Sequence, residues 1–222
     1  MTYYKVLSGS KSCNGGKCKW HLPTKNNDGT WTPGKWMKPI KGELVPCENG
    51  YHICRTRDLI QWLNEEIYEA EYRGEIIKDD NKCIVREARL LHKIETWNEK
   101  TARLFAADCA ERALSLLEKI YPDDKRPRQA IRAARDYANG KITQDELSAA
   151  WSAARSAAES AAWSAARSAA WLAAWSAERS AAESATRSAA WLAAWSAERR
   201  WQIKRLMRYL NEKKNRKVQG VL

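Results

Sequence analysis

Four cysteines near the start of the chain are of the residue type that binds a metal ion. Cys13 and Cys18 are separated by four residues, and Cys47 and Cys54 by six. Thiolates from two loops are typical ligands of a structural zinc ion, and the glycine-rich CNGGKC resembles a zinc knuckle. The usual spacing within a pair is about two to four residues, so the second pair departs from it, and buried or incidental thiols are the alternative. These four cysteines are the candidate zinc ligands, and no other cofactor is predicted.

The three histidines, His21, His52 and His92, do not define a catalytic site. His52 lies in GYHIC, but no aspartate or nucleophile can be assigned to it, so a hydrogen-bonded strand histidine is the expected role. The sequence contains no GxSxG, HExxH, Walker loop or dinucleotide fingerprint. We therefore predict no catalytic residue.

The region from about 148 to 201 consists of small-residue tetrads headed by Trp, Arg or Glu. RSAAWLAAWSAER occurs twice, at residues 167–179 and 187–199. Four residues turn an α-helix by about 400°, so a stripe with this period drifts around the helix and specifies no simple coiled coil. The two copies start twenty residues apart, which would place them on opposite faces of a straight helix. We expect either one long helix contacted on both sides or a bend near residues 180–188.

The tryptophans of this region are candidates for packing or partner contacts. Ala and Ser between them permit close approach of a neighbouring helix or of a second subunit. Stacking of nucleic-acid bases beside Arg is an alternative, and an ice-binding face is disfavoured by the intruding charges. The candidate contact residues are Trp151, Trp163, Trp171, Trp175, Trp191, Trp195 and Trp201.

The elements that position these residues fall into three zones. In the first, YYKVL, YEAEYRGEII and NKCIVREARLLHKI are predicted strands, the last two joined across KDDN. KWHLP and GKWMKP are strands or ordered loop, and ELVPC and GYHIC bracket a hairpin turn. DLIQWLNEEI is a predicted helix because its apolar residues lie near one face.

The second and third zones are predicted to be helical. Thr96 and Glu99 have capping-box spacing, and the helix that follows them ends at Pro122. Pro127 suits the first position of the next helix, which ends at Asn139-Gly140. Thr143 and Glu146 repeat the capping-box spacing. From there to about residue 214 the chain has neither Gly nor Pro.

Composition narrows the class of protein. The 222 residues include 39 Lys and Arg against 27 Asp and Glu, a net charge of +12. Such an excess permits an anionic partner without showing one, and the basic tail equally suits a solvated helix end. No apolar run has the length of a membrane span or a signal peptide. We expect a cytoplasmic protein with reduced thiols.

These observations predict an α+β protein. A small β-rich N-terminal domain, residues 1–95, precedes an α-helical domain, residues 96–214, that ends in a long Ala/Trp-rich helix or helical hairpin. Residues 215–222 form a basic tail. We expect a homo-oligomer, because the Trp faces need neighbours.

Two resemblances follow from particular segments. The pattern RLFAADCAER…YPDD.RPR.AI.AAR.YA.G, followed by Ala/Trp/Arg tetrads and WQIKRLMRYL, resembles the immunity proteins of bacterial toxin–immunity systems over residues 96–210. The N-terminal zone, with its motif W.LP…G.W……C..GYH.C….L..WL, resembles an uncharacterised phage-associated domain. Separately, its order of strands and helix is similar to ADP-ribosyltransferase-like folds, which bind NAD between two small sheets, although their catalytic glutamate motif is not identifiable here.

The immunity resemblance implies a non-enzymatic inhibitor that binds a partner protein of toxin or host origin. An anti-defence role fits the phage-associated N-terminal zone. Two alternatives remain at this point: a nucleotide or nucleic-acid binder that uses Trp and Arg surfaces, and an ADP-ribosyltransferase-like enzyme in the N-terminal domain.

Overall fold

The computed structural model describes residues 1–12, 18–120, 122–150, 152–153 and 181–211. Within these ranges, the side chains of residues 113, 115–117, 120 and 181–195 are not described. The chain divides into two compact units: Met1–Asn98 with the chain from Ile203 onward, and Glu99–Gln202. We call them the barrel unit and the helical unit.

The barrel unit is built on antiparallel strands that close on themselves. The long strands are β1 (Tyr3–Ser8), β5 (Tyr51–Arg55), β6 (Glu66–Lys78) and β7 (Cys83–Lys93). β1 pairs with both β5 and β6, and β7 also pairs with both. This ring of pairings removes the open sheet edges that two separate hairpins would expose. The short β2 (Lys11–Ser12) extends the sheet beside β1.

The interior of the barrel is filled by side chains from all four long strands. One buried cluster contains Leu7 of β1, Ile53 of β5, Tyr68 of β6 and Leu90 of β7, together with Trp20 from the loop after β2. The β6–β7 register shifts between Arg73 and Ile76. Cys83 and Val85 point into the cluster on one side of this bulge, and Ala88 and Leu90 on the other. The predicted strand pair is confirmed, and the turn predicted at KDDN, residues 78–81, lies one residue later, at 79–82.

The loop-rich stretch between β2 and β5 contains little regular structure. A two-stranded sheet joins β3 (Thr24–Lys25) to β4 (Trp31–Thr32). The segment 34–40 lies along β7, where the N–H groups of Gly34, Met37 and Ile40 donate to carbonyls at Leu90, Ala88 and Arg86. GKWMKP is therefore an ordered loop.

The predicted hairpin between ELVPC and GYHIC is wrong. Residues 43–47 form no strand, and Val45 makes an isolated bridge to Asn49. β5 instead pairs with β7 and β1. Barrel closure satisfies both edges of β5, so no edge remains for the upstream segment.

The predicted helix at DLIQWLNEEI is also wrong. Only Leu59–Gln61 forms a 3₁₀ turn, and β6 begins at Glu66. Asp58 makes no capping hydrogen bond, because its carboxylate is held by the guanidinium of Arg55. Ile67, the last apolar residue of the predicted helix, instead lies in β6, where it is buried together with Tyr68.

The sequence predicts three helix starts after residue 95, and a helix begins near each of them. The first two helices are α1 (Glu99–Ile120) and α2 (Arg126–Ala138). α2 begins one residue before Pro127, and its end at Asn139-Gly140 is confirmed by a φ of 71° at Gly140. A third helix, α3, covers residues 144–150.

The capping box of α3 is confirmed atom by atom. The backbone N–H and the hydroxyl of Thr143 donate to Glu146 Oε2 at 2.7 and 2.9 Å, and the Glu146 N–H donates back to Thr143 Oγ1 at 3.3 Å. The Thr143 backbone N–H lowers the pKa of the Glu146 carboxyl. Thr96 behaves differently, since its hydroxyl donates to the carbonyl of Leu210 at 2.8 Å.

The last helix, α4, runs unbroken over Ala181–Leu210. It contains the second tetrad copy and covers most of the region in which a bend was considered. The first copy lies outside the described residues, so the choice between one long helix and a helical hairpin stays a prediction. The α+β class, with a β-rich N-terminal region followed by helices, is confirmed. Among the described helices, none combines the length and apolarity of a membrane span.

Gly34 is a position where a side chain does not fit. A Cβ there would lie 2.1 Å from the carbonyl oxygen of His21. Gly34→Ala is expected to lower the free energy of unfolding by about 2 kcal/mol, because backbone on both sides must shift. Urea denaturation of the full chain measures this, with the exposed neighbour Lys35→Ala as control. Equal stability of the two variants would contradict the close approach.

Candidate functional site

The helical unit is held together by a buried charge pair between α1 and α2. Asp108 on α1 is 6% exposed, and the Arg135 guanidinium on α2 donates to it at 2.8 Å. A second nitrogen of Arg135 reaches Glu111 at 2.5 Å. One arginine on α2 thus binds two carboxylates one turn apart on α1, which fixes the register of the two helices.

Two further arginines fasten the same helix pair. Arg103 pairs with Glu99 at 2.7 Å on α1, and its guanidinium carbon lies 4.8 Å from the ring centre of Tyr137 on α2. Arg128 on α2 makes a two-pronged pair with Glu118 at 2.7 Å, which lowers the pKa of that carboxyl. Five charged residues of the motif RLFAADCAER…RPR.AI.AAR.YA therefore have partners inside the hairpin: Arg103, Asp108, Glu111, Arg128 and Arg135.

Arg112 connects α1 to α4. It donates to Glu198 and lies 4.7 Å from the ring centre of Trp201. Trp201, one of the predicted contact residues, is half-buried against this guanidinium. Trp191 and Trp195 lie on α4, where their side chains are not described, and the other predicted contact residues, Trp151, Trp163, Trp171 and Trp175, lie outside the described residues.

The outer face of α2 is what the hairpin leaves to solvent. No residue of α2 is fully buried. The Arg132 side chain is 85% exposed, and Asp136, at 3.8 Å, is its one ion-pair partner among the described residues. Gln129 is exposed beside it. This face offers donors to a carboxylate-bearing partner without disturbing the interior pairs.

The candidate zinc ligands have different surroundings. Cys54 is buried in β5, and its thiol donates to the carbonyl of Tyr4 at 3.3 Å. Cys18 and Cys47 are exposed, and Cys13 lies outside the described residues. Within the described ranges, no group of three or more His, Cys, Asp or Glu residues is placed to hold a metal. The zinc site stays a prediction, which metal analysis of the purified chain would check.

Cys47 lies in a polar cluster on the barrel unit. Its backbone adopts a φ of 67°, which is strained for a residue with a side chain. Lys82 Nζ donates to its sulfur at 3.1 Å, which raises the pKa of Lys82. The Cys47 N–H donates to His52 Nε2 at 3.2 Å. His52 is therefore a neutral acceptor, as the strand-histidine interpretation requires, and it orders the loop before β5.

This arrangement gives the barrel unit a defined pH dependence. Burial, followed by the positive charges of Lys5 and Lys82, lowers the pKa of His52. Below about pH 6.5 the unfolded chain takes up a proton on this imidazole that the folded chain does not. The free energy of unfolding therefore decreases as the pH is lowered through this range. Between denaturation above and below this pH, the His52→Gln variant is expected to lose less free energy of unfolding than the parent chain. Its amide oxygen still offers an acceptor to the Cys47 N–H. An unchanged pH dependence would show that other groups cause the loss.

The other histidines make minor contacts. His92 lies 3.7 Å from Glu69, and His21 is exposed. The arrangement compared with ADP-ribosyltransferase-like folds included a helix after GYHIC, whereas the only helical element between β5 and β6 is the 3₁₀ turn at Leu59–Gln61. The enzyme alternative therefore stays a prediction that has lost one of its elements.

Sequence reasoning did not identify the Asp108–Arg135 pair or the Cys47 cluster as sites. A signal for the first exists: Asp108 interrupts an Ala-rich helix face between Ala107 and Ala110, where an unpaired carboxylate would be costly. The second depends on loop geometry that no local pattern shows.

Comparison with known proteins adds one finding. Residues 92–209 match the family described as Imm-5 like putative immunity protein. No curated protein and no solved structure matches the chain. The match includes α1, α2, α3 and the described part of α4, and it leaves out almost all of the barrel strands. Because it covers more than half of the 222 residues, the chain belongs to this family of immunity proteins.

Proposed function

We propose that the protein is a non-enzymatic binding protein of immunity type, which engages a partner protein through its helical unit. The observation that carries this proposal is the family match over residues 92–209. An immunity function requires recognition of another protein, and the match lies on the helical unit rather than on the barrel strands. An anti-defence role is the variant of this function in which the partner is a host protein.

The outer face of α2 is the surface that we assign to the partner. The motif residues Arg103, Asp108 and Arg135 are committed to the hairpin. Arg132 and Gln129 face solvent on α2, and the ion pairs of the hairpin hold α2 in place against α1. Rigid support of exposed donors favours binding, because little side-chain and backbone order must be acquired in the complex.

The test uses the tagged full chain as bait in bacterial lysate, after nuclease treatment. We expect one protein to be retained in stoichiometric amount, to be lost with Arg132→Glu, and to be retained with Lys38→Glu on the barrel unit. The isolated partner should then lose its own activity when the purified chain is added. Retention that is equal in all three chains, or that vanishes with nuclease, would overturn the proposal.

The predicted homo-oligomer is a separate proposal. The ring of Trp201 packs on Arg112 within one chain, so this tryptophan needs no second subunit. The remaining Trp residues of the tetrad region provide the argument for self-association. Light scattering of the purified chain at two concentrations would decide between a monomer and an oligomer.

A further inference from the structure

The loop-rich side of the barrel unit carries an unusual concentration of lysine. Between residues 9 and 42 the sequence has seven Lys, no Arg and a single acid, Asp28. The Asp28 carboxylate is occupied by the N–H and hydroxyl of Thr30, at 2.9 and 2.6 Å. Lys25 is paired with Glu95. The other described lysines of this stretch are exposed and form no ion pair with any described residue: Lys11, Lys19, Lys35, Lys38 and Lys41.

Three of these lysines form a row. Gly34, Met37 and Ile40 donate to carbonyls of β7 two residues apart, so segment 34–41 repeats every third residue against the strand. Lys35, Lys38 and Lys41 each follow one of these anchored residues and are exposed. Two strand residues span about 6.6 Å, which sets the mean spacing of the anchors and hence of the lysines. That spacing suits successive phosphates along a nucleic-acid strand.

Two more lysines face each other across a backbone bridge. Lys11 on β2 is directly opposite Lys19 in an antiparallel pairing, which places both side chains on one face about 5 Å apart at Cβ. Like charges at such a position are destabilising. An anion bound between the two ammonium groups would remove this cost.

The lysine pair and the lysine row are joined through two aromatic residues. Trp20, next to Lys19, lies edge-on to Tyr51 with ring centres 5.6 Å apart. The Tyr51 hydroxyl donates to the carbonyl of Lys38 at 2.9 Å. Trp20 is itself tied to Ser12 by its indole N–H at 2.9 Å. Gly34, directly before Lys35, also lies against the backbone of His21, two residues after Lys19. The lysine pair and the lysine row are therefore neighbours, and we call the five lysines together the lysine surface.

We propose that the lysine surface binds the phosphate backbone of a nucleic acid. Lysine is a compact point charge on a flexible stem, and it binds phosphates through that charge without requiring one fixed contact geometry. The arginines beside the row are each paired with a glutamate, Arg73 with Glu87, Arg86 with Glu75 and Arg89 with Glu71. The lysines form no such pair with described residues, and their regular row fits a repeating anion better than the scattered carboxylates of a protein. Such binding is independent of base sequence.

This inference is independent of the immunity-type proposal, because the lysine surface lies outside residues 92–209. The probe is a fluorescein-labelled oligothymidylate, titrated with the full chain at several salt concentrations. The triple variant Lys35→Gln, Lys38→Gln, Lys41→Gln is compared with the matched variant Lys100→Gln, Lys119→Gln, Lys204→Gln, which removes the same charge from exposed positions elsewhere. A duplex and an RNA of the same length show which form binds more tightly.

The expected result is a salt dependence that separates the two variants. The slope of log affinity against log salt should become less steep by about 2 in the lysine-surface variant, since each single-strand phosphate contact contributes about 0.7. The matched variant should keep the slope of the parent chain. Equal slopes in both variants, or the absence of binding in the parent chain, would overturn the proposal. Displacement of the oligonucleotide by polyglutamate at equal charge would assign the surface to an acidic protein instead.

Discussion

Arg55→Leu is expected to lower the free energy of unfolding of the barrel unit by about 4 kcal/mol, because it deprives a buried carboxylate of the buried cation that hydrogen-bonds to it. Asp58 is 1% exposed and is held by Arg55 Nε. A second guanidinium nitrogen donates to the carbonyls of Asp79 and Asp80 at 2.6 and 3.1 Å. One side chain therefore satisfies the 3₁₀ turn and the β6–β7 turn together. Leucine would leave three acceptors unpaired.

Urea denaturation of the full chain, with hydrogen exchange of the β6–β7 amides to locate the change, measures this effect. Arg57→Leu is the matched control: its side chain is 69% exposed and lies 3.7 Å from Asp58, so its loss should cost less than about 1 kcal/mol. The double variant Arg55→Leu, Asp58→Leu should recover part of the stability, since no carboxylate is then left buried. If Arg55→Leu is no more harmful than Arg57→Leu, the proposed role of the pair is refuted.

Arg135→Leu is expected to destabilise the helical unit by about 3 kcal/mol, the lower end for a broken buried ion pair. Arg135 is 30% exposed, and solvent screens part of its interaction. Its removal leaves Asp108 buried without this partner and leaves Glu111 without the cation that neutralised it. The two carboxylates, one turn apart, would then repel each other.

A double-mutant cycle of Arg135→Leu with Asp108→Leu isolates the pair, because the coupling energy excludes what each residue does alone. Helical circular dichroism during denaturation gives the free energies. Arg132→Leu, on the same helix and 85% exposed, should change stability by less than about 0.5 kcal/mol. A coupling energy near zero would mean that the hairpin is held by its apolar contacts instead.

Local patterns predicted the elements whose stability is local. β6 and β7 alternate and are joined by a four-residue turn, and α3 begins with a capping box, so each could be read from neighbouring residues. The helix prediction for DLIQWLNEEI failed because the Asp58 carboxylate is bound by Arg55 and is not free to cap a helix. In addition, Ile67 and the following Tyr68 suit a strand as well as a helix. Barrel closure was not predictable either, since the β1–β6 pairing joins residues about sixty positions apart.

The Asp108–Arg135 pair and the lysine surface likewise depend on contacts between residues that are distant in the sequence. The family pattern includes Asp108 and Arg135, but their contact exists only once α1 and α2 are antiparallel neighbours. The lysines of residues 11–41 were visible as charge, whereas their arrangement depends on the hydrogen bonds of Gly34, Met37 and Ile40 to β7.

The division of the chain has a consequence for its synthesis. Leu206, Tyr209 and Leu210 are buried and belong to the same unit as the barrel strands, and Leu210 accepts the hydroxyl of Thr96. During translation the barrel strands therefore emerge from the ribosome first. The residues from Ile203 onward that complete their unit emerge only after the whole helical unit has been synthesised. The nascent barrel has to wait for more than half of the message before it can finish folding, whereas the α1–α2 hairpin can form as soon as it emerges.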